Sequence, residues 1–326
     1  MTGSAGPVSR RSFLGTTMTA GAGLVALGAA EVSAAEEPRS RVVRARRQKA
    51  TLDLEPNQPV VTEAVHAAVM GLSGKSTPAA AWAEFLRPDD VVGLKINCLF
   101  GIGASTHPQV VAAVIEGCRL AKVKPDNIIV WDRTDSDLAK VGYEINRGPG
   151  VRCYGVNKDW EPQPVAIHTC RGRLAKLVTT TCTALINLPI LKTHSMAGMT
   201  LALKNHYGTF HNPWDAHANA CDPFAAHVNL LPDIRTKTRL VLADALLPIA
   251  EGGPGPQPQW TWPYNAILAS RDSVAIDYVG LQILDKRRAE LGLKSIEKSG
   301  AARHVLTGAR LGLGMADLAH IDLVDV

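Results

Sequence analysis

Five short, nearly unbroken aliphatic runs constrain this chain more than any other feature: residues 91–97 (VVGLKIN), 128–132 (IIVWD), 185–191 (LINLPIL), 240–244 (LVLAD) and 266–269 (AILA). Val/Ile/Leu runs without polar alternation fit strands covered on both faces, as in a parallel sheet. Helical segments lie between them, so the expected class is α/β, a mainly parallel (mixed) sheet flanked by helices on both faces. Ser105 or Thr106 can cap a helix that carries Pro108 in its first turn and continues through residues 110–115. Asp272 or Ser273 can cap another, running from Val274 to about Leu291 and stopped by Gly292. Residues 251–263 (EGGPGPQPQWTWP) exclude regular structure and make a lid candidate, with Trp260 and Trp262 able to pin it to a neighbouring surface.

Each run carries polar residues at its downstream end: Lys95 and Asn97, Asp132, Lys192 and His194, Asp244, then Arg271 and Asp272. In open parallel sheets ligands bind beyond the carboxyl ends of the strands, so these groups are expected to converge on one cleft. An unpaired charge beside an aliphatic run is costly, which argues that these charges have a use. Asp277 shares a helical stripe with Val274, Gly280, Leu281 and Leu284, and needs a partner. Lys192, Lys204 or a backbone amide would serve.

Residues 191–208 (LKTHSMAGMTLALKNHYG) are the most polar part of that pattern. A helical turn from Thr200 would place Thr200 and Lys204 on one face and end at Asn205–Gly208. His194 to His227 holds five of the ten histidines. His206, His211, His217, Cys221 and His227 are candidate metal ligands, with His217 and Cys221 four apart, although the spacings match no standard zinc motif. Asp222-Pro223 reads as a helix start, placing His227 one turn inside.

The N-terminus, with Arg10-Arg11 ahead of a soft Gly/Ala/Leu/Thr stretch and Val32-Ser33-Ala34 before Glu36, resembles a twin-arginine (Tat) export signal. The resemblance implies a signal over residues 1–34, the Tat machinery as a partner, and a periplasmic or extracellular protein with no stable membrane span after cleavage. The stretch is too diluted by Gly and Thr for a spanning helix. Residues 35–50 read as a basic linker, because Arg39, Arg41, Arg44, Arg46, Arg47 and Lys49 hold most of the +5 formal charge. No interleaved aromatics accompany them, so a nucleic-acid partner is not expected. Residues 51–326 remain for a single α/β domain, large enough to bury a core. Six dispersed cysteines without a Cys-x-x-Cys pair argue against a ferredoxin-type iron–sulfur cluster, and leave buried thiols or one or two disulfides as alternatives.

The segments INLPILKTHSMAGMTLALKNHYG, RLVLADALLPIAEGGPGP and LASRDSVAIDYVG, with Lys95-x-Asn97 upstream, resemble domain-of-unknown-function family 362 over roughly residues 90–320. The resemblance maps family motif positions onto Lys95, Asn97, Lys192, His194, Thr200, Lys204, Asn205, Asp244, Asp272 and Asp277. Some members carry an added iron–sulfur segment that this chain lacks.

Two functional expectations follow. In one, an enzyme holds a small anionic ligand through Lys95, Lys192 and Lys204, with His194 as general acid/base and Asp244 orienting the histidine or holding a cation. Asn97, Thr200, Asn205, Asp272 and Asp277 complete that binding set, and a Schiff-base lysine is a variant. In the other, an exported accessory protein binds a divalent metal or another cofactor through the histidine and cysteine set. No Gly-x-Ser-x-Gly elbow, His-Glu-x-x-His helix or dinucleotide fingerprint is present.

Overall fold

All five aliphatic runs fold as strands in the computed structural model, which describes residues 39–326. In chain order the strands are β1 (Ser40–Arg46), β2 (Thr51–Leu52), β3 (Glu55–Pro56), β4 (Val92–Lys95), β5 (Ile128–Trp131), β6 (Arg152–Cys153), β7 (Val165–Ile167), β8 (Cys170–Gly172), β9 (Ala184–Asn187), β10 (Ile190–His194), β11 (Gly198–Thr200), β12 (Thr238–Ile249), β13 (Ala266–Ser270) and β14 (Ile321–Asp325). The α-helices are α1 (Gln58–Ser73), α2 (Pro78–Ala83), α3 (Pro108–Leu120), α4 (Asp135–Ala139), α5 (Ala202–Asn205), α6 (Phe224–Val228), α7 (Pro232–Lys237), α8 (Ser273–Glu290) and α9 (Arg303–Arg310).

Ten strands form one mixed, mostly parallel sheet in the order β14-β1-β13-β12-β9-β4-β5-β6, with β10 joined to β12 and β11 joined to β10. Strands β4, β5, β6, β9, β10 and β12 are parallel, while β13 runs against β12 and β1, and β11 against β10. Alternate side chains serve opposite layers, as the period of two requires. Leu240 and Leu242 pack in one core with α1, α2 and α3, while Val241 and Ala243 pack in another with α8 and α9. The fold is therefore α/β with both faces covered.

The third aliphatic run yields two strands because Leu188-Pro189 interrupts it. Strand β9 pairs with β4 and with the first part of β12, ending level with Lys95. Strand β10 continues between β12 and β11 and no longer beside β4. The space past the carboxyl ends of β4 and β5, alongside β10, is thereby left open.

Two expectations are corrected. Residues 40–46 are not linker: β1 pairs antiparallel with β13 and parallel with β14, so the folded part begins ahead of residue 51. Val42, Val43 and Ala45 are buried between arginines that point outward, two of which meet carboxylates of β14, Arg41 on Asp322 and Arg44 on Asp325. The charges hid a strand pattern, because those carboxylates lie at the far end of the chain. Helix α3 has Pro108 in its first turn as expected, but its N-cap is His107; Thr106 Oγ1 instead donates to Leu188 O at 2.7 Å. Helix α8 begins as read, with Asp272 accepting from the amides of Val274 and Ala275 at 2.8 and 2.9 Å.

The export signal expected over residues 1–34 lies outside the described residues. Among the described residues no helix is long and apolar enough to cross a membrane. All six cysteines are buried free thiols, and burial pushes Cys118, Cys170 and Cys182 up to about 12, which leaves them inert.

Candidate functional site

A cavity of about 250 Å³ occupies the space beyond β4 and β5. Its walls include Lys95 from β4, Lys192 and His194 from β10, Thr200 from β11 and Lys204 and Asn205 from α5, together with Asn97. Seven of the ten expected catalytic and binding residues thus meet in one place. The turn after Lys204 closes onto the floor through Gly208, where an added Cβ would lie 3.0 Å from Asp132 Oδ1 and 3.1 Å from Lys95 Cε.

The floor is an ion pair set in a chain of amides. Lys95 Nζ lies 2.8 Å from Asp132 Oδ1, and both residues are buried. Asp132 also accepts from the amides of Cys98 at 2.6 Å and Arg133 at 2.9 Å. Lys95 further donates to Ile96 O at 2.5 Å and to Asn205 Oδ1 at 3.4 Å. Asn205 Nδ2 donates to Lys95 O and Asn187 Oδ1, and Asn187 Nδ2 to Ala202 O. Asn97 Nδ2 donates to Asn205 Oδ1 at 3.3 Å, while its own Oδ1 accepts from Lys192 at 3.2 Å. Each of these amides has its oxygen facing donors and its nitrogen facing acceptors, so the network holds its orientation without competing alternatives.

Above the floor the balance changes. Lys192 is 1% exposed, donates to Ala104 O at 2.5 Å and Asn97 Oδ1, and lies 5.1 Å from the centre of the Phe100 ring. Lys204 is buried, lies 4.1 Å from the centre of the Tyr207 ring and 3.2 Å from His217 Nε2. Neither lysine forms an ion pair with a carboxylate among the described residues. Burial and the neighbouring Lys204 charge bring Lys192 down to about 7, and burial brings Lys204 down to about 8. Thr200 Oγ1, also buried on this wall, has no hydrogen-bond partner among the described residues.

His194 differs from the expected acid/base. Its Nδ1 accepts from the amides of Met196 at 3.1 Å and Ala197 at 3.2 Å, which puts the ring proton on Nε2. Burial and the nearby lysines lower its pKa to about 3, so at neutral pH it is an uncharged donor. Its ring stacks on His217, with centroids 5.9 Å apart. The loop at residues 251–263 seals this edge: Gly253 N donates to Thr193 Oγ1 at 3.1 Å, Ser195 N donates to Gly253 O at 3.0 Å, and Pro254 lines the cavity. A Cβ on Gly253 would sit 2.1 Å from Thr193 O, so only glycine fits. Trp262 packs against the core beside α8, as expected of a pin.

Three expected aspartates lie outside the cavity. Asp244 accepts from His107 Nδ1 at 2.7 Å and from the His107 amide at 2.8 Å, tying the start of α3 to β12 and leaving nothing for His194. Burial works against a charge on His107, but Asp244 outweighs it and raises the His107 pKa. Asp272 caps α8 and accepts from Met315 N at 2.9 Å. Asp277 accepts from the amides of Ala202 at 2.6 Å and Leu203 at 3.1 Å, so its partner is the start of α5 and neither lysine. Burial nevertheless pushes Asp277 up to about 8. Asp132, marked in the sequence only as a polar strand end, does reach the site and pairs with Lys95, and Asp137 of α4 also lines the cavity.

The candidate metal ligands do not converge. His206 Nδ1 lies 3.3 Å from Thr209 Oγ1, His211 Nδ1 accepts from Arg173 N, His227 Nδ1 meets Thr169 Oγ1 at 2.7 Å, and Cys221 is buried near Tyr207; only His217 lines the cavity. Among the described residues no group of three or more His, Cys, Asp or Glu side chains is placed to hold a metal ion.

Fold and site together define an α/β protein with a lysine-rich cavity at the strand ends. The family model described as Domain of unknown function (DUF362) matches residues 92–282, more than half of the chain, and the chain belongs to that family. The matched segment runs from the start of β4 into α8 and contains every residue that lines the cavity. No curated protein matches the chain.

Proposed function

We propose that this protein is an exported enzyme that binds a small anion in the strand-end cavity and uses Lys192 as an amine nucleophile. The observation that carries the reading is the pair of buried lysines, Lys192 and Lys204, facing one cavity without a carboxylate partner. Two lysines are not buried without a carboxylate for stability, because a buried charge costs several kcal/mol unless compensated and keeping the amine neutral has its own cost in proton loss. A carboxylate or phosphate entering the cavity supplies the missing charge. Lys204 is the anchor, with Thr200 Oγ1 as an added donor.

Lys192 suits the reacting role because a neutral amine has two N–H bonds and one lone pair. Ala104 O and Asn97 Oδ1 take the two N–H groups, leaving the lone pair for an electrophile. A second cation beside an amine is a known way to keep it neutral and nucleophilic. Attack on a carbonyl forms the C–N bond; two proton transfers then release the carbonyl oxygen as water and leave an imine. His194 Nε2–H is an uncharged donor for that oxygen.

Export rests on the Arg10-Arg11 segment: residues 1–34 are the signal, the Tat machinery is the partner, and the folded part is delivered to the periplasm or beyond. Changing both arginines to lysine is expected to retain the protein inside the cell, seen by fractionation. For the enzyme, the purified exported protein is treated with borohydride in the presence of 2-oxo acids and the adduct located by peptide mass. The expected result is a reduced adduct on Lys192. Absence of any adduct, together with no thermal shift from any carboxylate or phosphate tested, overturns the reading.

A further inference from the structure

The cavity has an apolar mouth. Leu99, Phe100, Met196 and Trp214 line it and remain 45%, 40%, 48% and 68% exposed. They come from three separate stretches: the loop after β4, the turn between β10 and β11, and the segment after Phe210. Large side chains of this kind cost free energy in water unless something covers them, and exposed apolar groups gathered at one cavity around a polar centre mark a binding surface.

The rim is joined physically to the basic interior. Trp214 lies against His217 with ring centroids 5.6 Å apart, and His217 stacks on His194, so a row of rings leads from solvent to the reacting wall. The Phe100 ring also reaches inward, its centre 5.1 Å from Lys192 Nζ. An interior of about 250 Å³ admits a head group and a few carbons, which is below the usual range for enclosing a whole drug-sized ligand.

We propose that the natural ligand is an amphiphilic anion, a medium-chain or aryl 2-oxo acid whose charged head sits between Lys192 and Lys204 and whose apolar body lies on Phe100, Met196 and Trp214. The inference rests on the anion-binding reading above. A bilayer fits the same rim less well, because both lysines are buried below it and cannot reach the phosphates of a planar surface. A single molecule entering head first satisfies both parts.

The test is calorimetric titration of the exported protein with unbranched 2-oxo acids from pyruvate to 2-oxooctanoate, and with phenylpyruvate. Binding is expected to tighten about threefold to fourfold per added methylene. Trp214→Ala and Met196→Gln should each compress the ratio between 2-oxooctanoate and pyruvate by several fold. Equal affinity along the series overturns this inference and leaves the anion-binding reading standing. Failure of every oxo acid, with and without the apolar body, overturns both. Co-sedimentation with phosphatidylcholine–phosphatidylglycerol vesicles that depends on Trp214, without chain-length dependence in solution, overturns it in favour of a membrane surface.

Discussion

Two groups of buried lysine share one cavity and differ in what surrounds them. Lys95 sits on the floor against Asp132, within a network whose donors and acceptors all match. Lys192 and Lys204, on the wall, have carbonyl, amide, imidazole and ring contacts but no opposite charge. The first arrangement is closed and holds the strand ends in register. The second is incomplete, and an incomplete buried site is what a charged ligand can finish. The difference separates residues that build the site from residues available to act in it.

The comparison breaks most visibly at the floor. Asp132→Ala leaves Lys95 charged, buried and unpaired, and strands the amides of Cys98 and Arg133, so urea unfolding should show a loss of about 3–5 kcal/mol. On the wall the large effect falls on chemistry. Lys192→Met should abolish borohydride trapping and slow any imine-dependent exchange of the α-protons of a 2-oxo acid by on the order of 10³-fold, equivalent to about 4 kcal/mol. A stability loss as large as that of Asp132→Ala, with trapping intact, would erase the distinction.

Lys204→Met sharpens it further. The folded pKa of Lys204 is about 8, below the 10.5 of the unfolded chain, so the unfolded state holds more protons between these values. Native stability therefore gains from Lys204 as pH rises across that window, and the cost of burying the charge is fully present below it. The variant should melt roughly 2–3 °C higher than the native protein at pH 7, with the gap closing towards pH 10.5. Anion binding should weaken in the same variant, a trade between stability and function.

The smallest effect concerns His304, buried in α9 with neither ring nitrogen hydrogen-bonded among the described residues and with its pKa lowered by burial to about 3. A group whose folded pKa lies below its unfolded 6.5 loses stability as pH falls through that interval. His304→Leu should add about 1 kcal/mol at neutral pH and reduce the acid sensitivity of the melting temperature between pH 6.5 and 3.

Much of the site was legible because strand-end polarity survives folding. Lys95, Asn97, Lys192, His194, Thr200, Lys204 and Asn205 carry the signal in sequence and meet in space. The aspartates did not follow, since a carboxylate at a strand end does not announce which neighbour it will face. Asp244 shares the side of β12 that carries Leu240 and Leu242, and so points towards the start of α3. Asp132 ends β5, which lies beside β4, and so meets Lys95. A period-two count from Leu242 could have hinted at the first; nothing local indicated the second. The mouth residues were also missed, because Phe100, Met196 and Trp214 stand far apart in the chain and have no shared periodicity.

The sequence by itself determined the α/β class, the strands of the five aliphatic runs, the α8 cap at Asp272 and most polar positions of the cavity, all consequences of local pattern and backbone chemistry. Only the tertiary structure decided that residues 40–46 form a strand, that Asp132 meets Lys95 while Asp244 turns to His107, and that His194 is an uncharged donor. The first two outcomes depend on strand order, which brings together residues whose separation in sequence carries no record of their distance in space; the third depends on burial and on the charges of Lys204 and Lys192, added to the local amides of Met196 and Ala197.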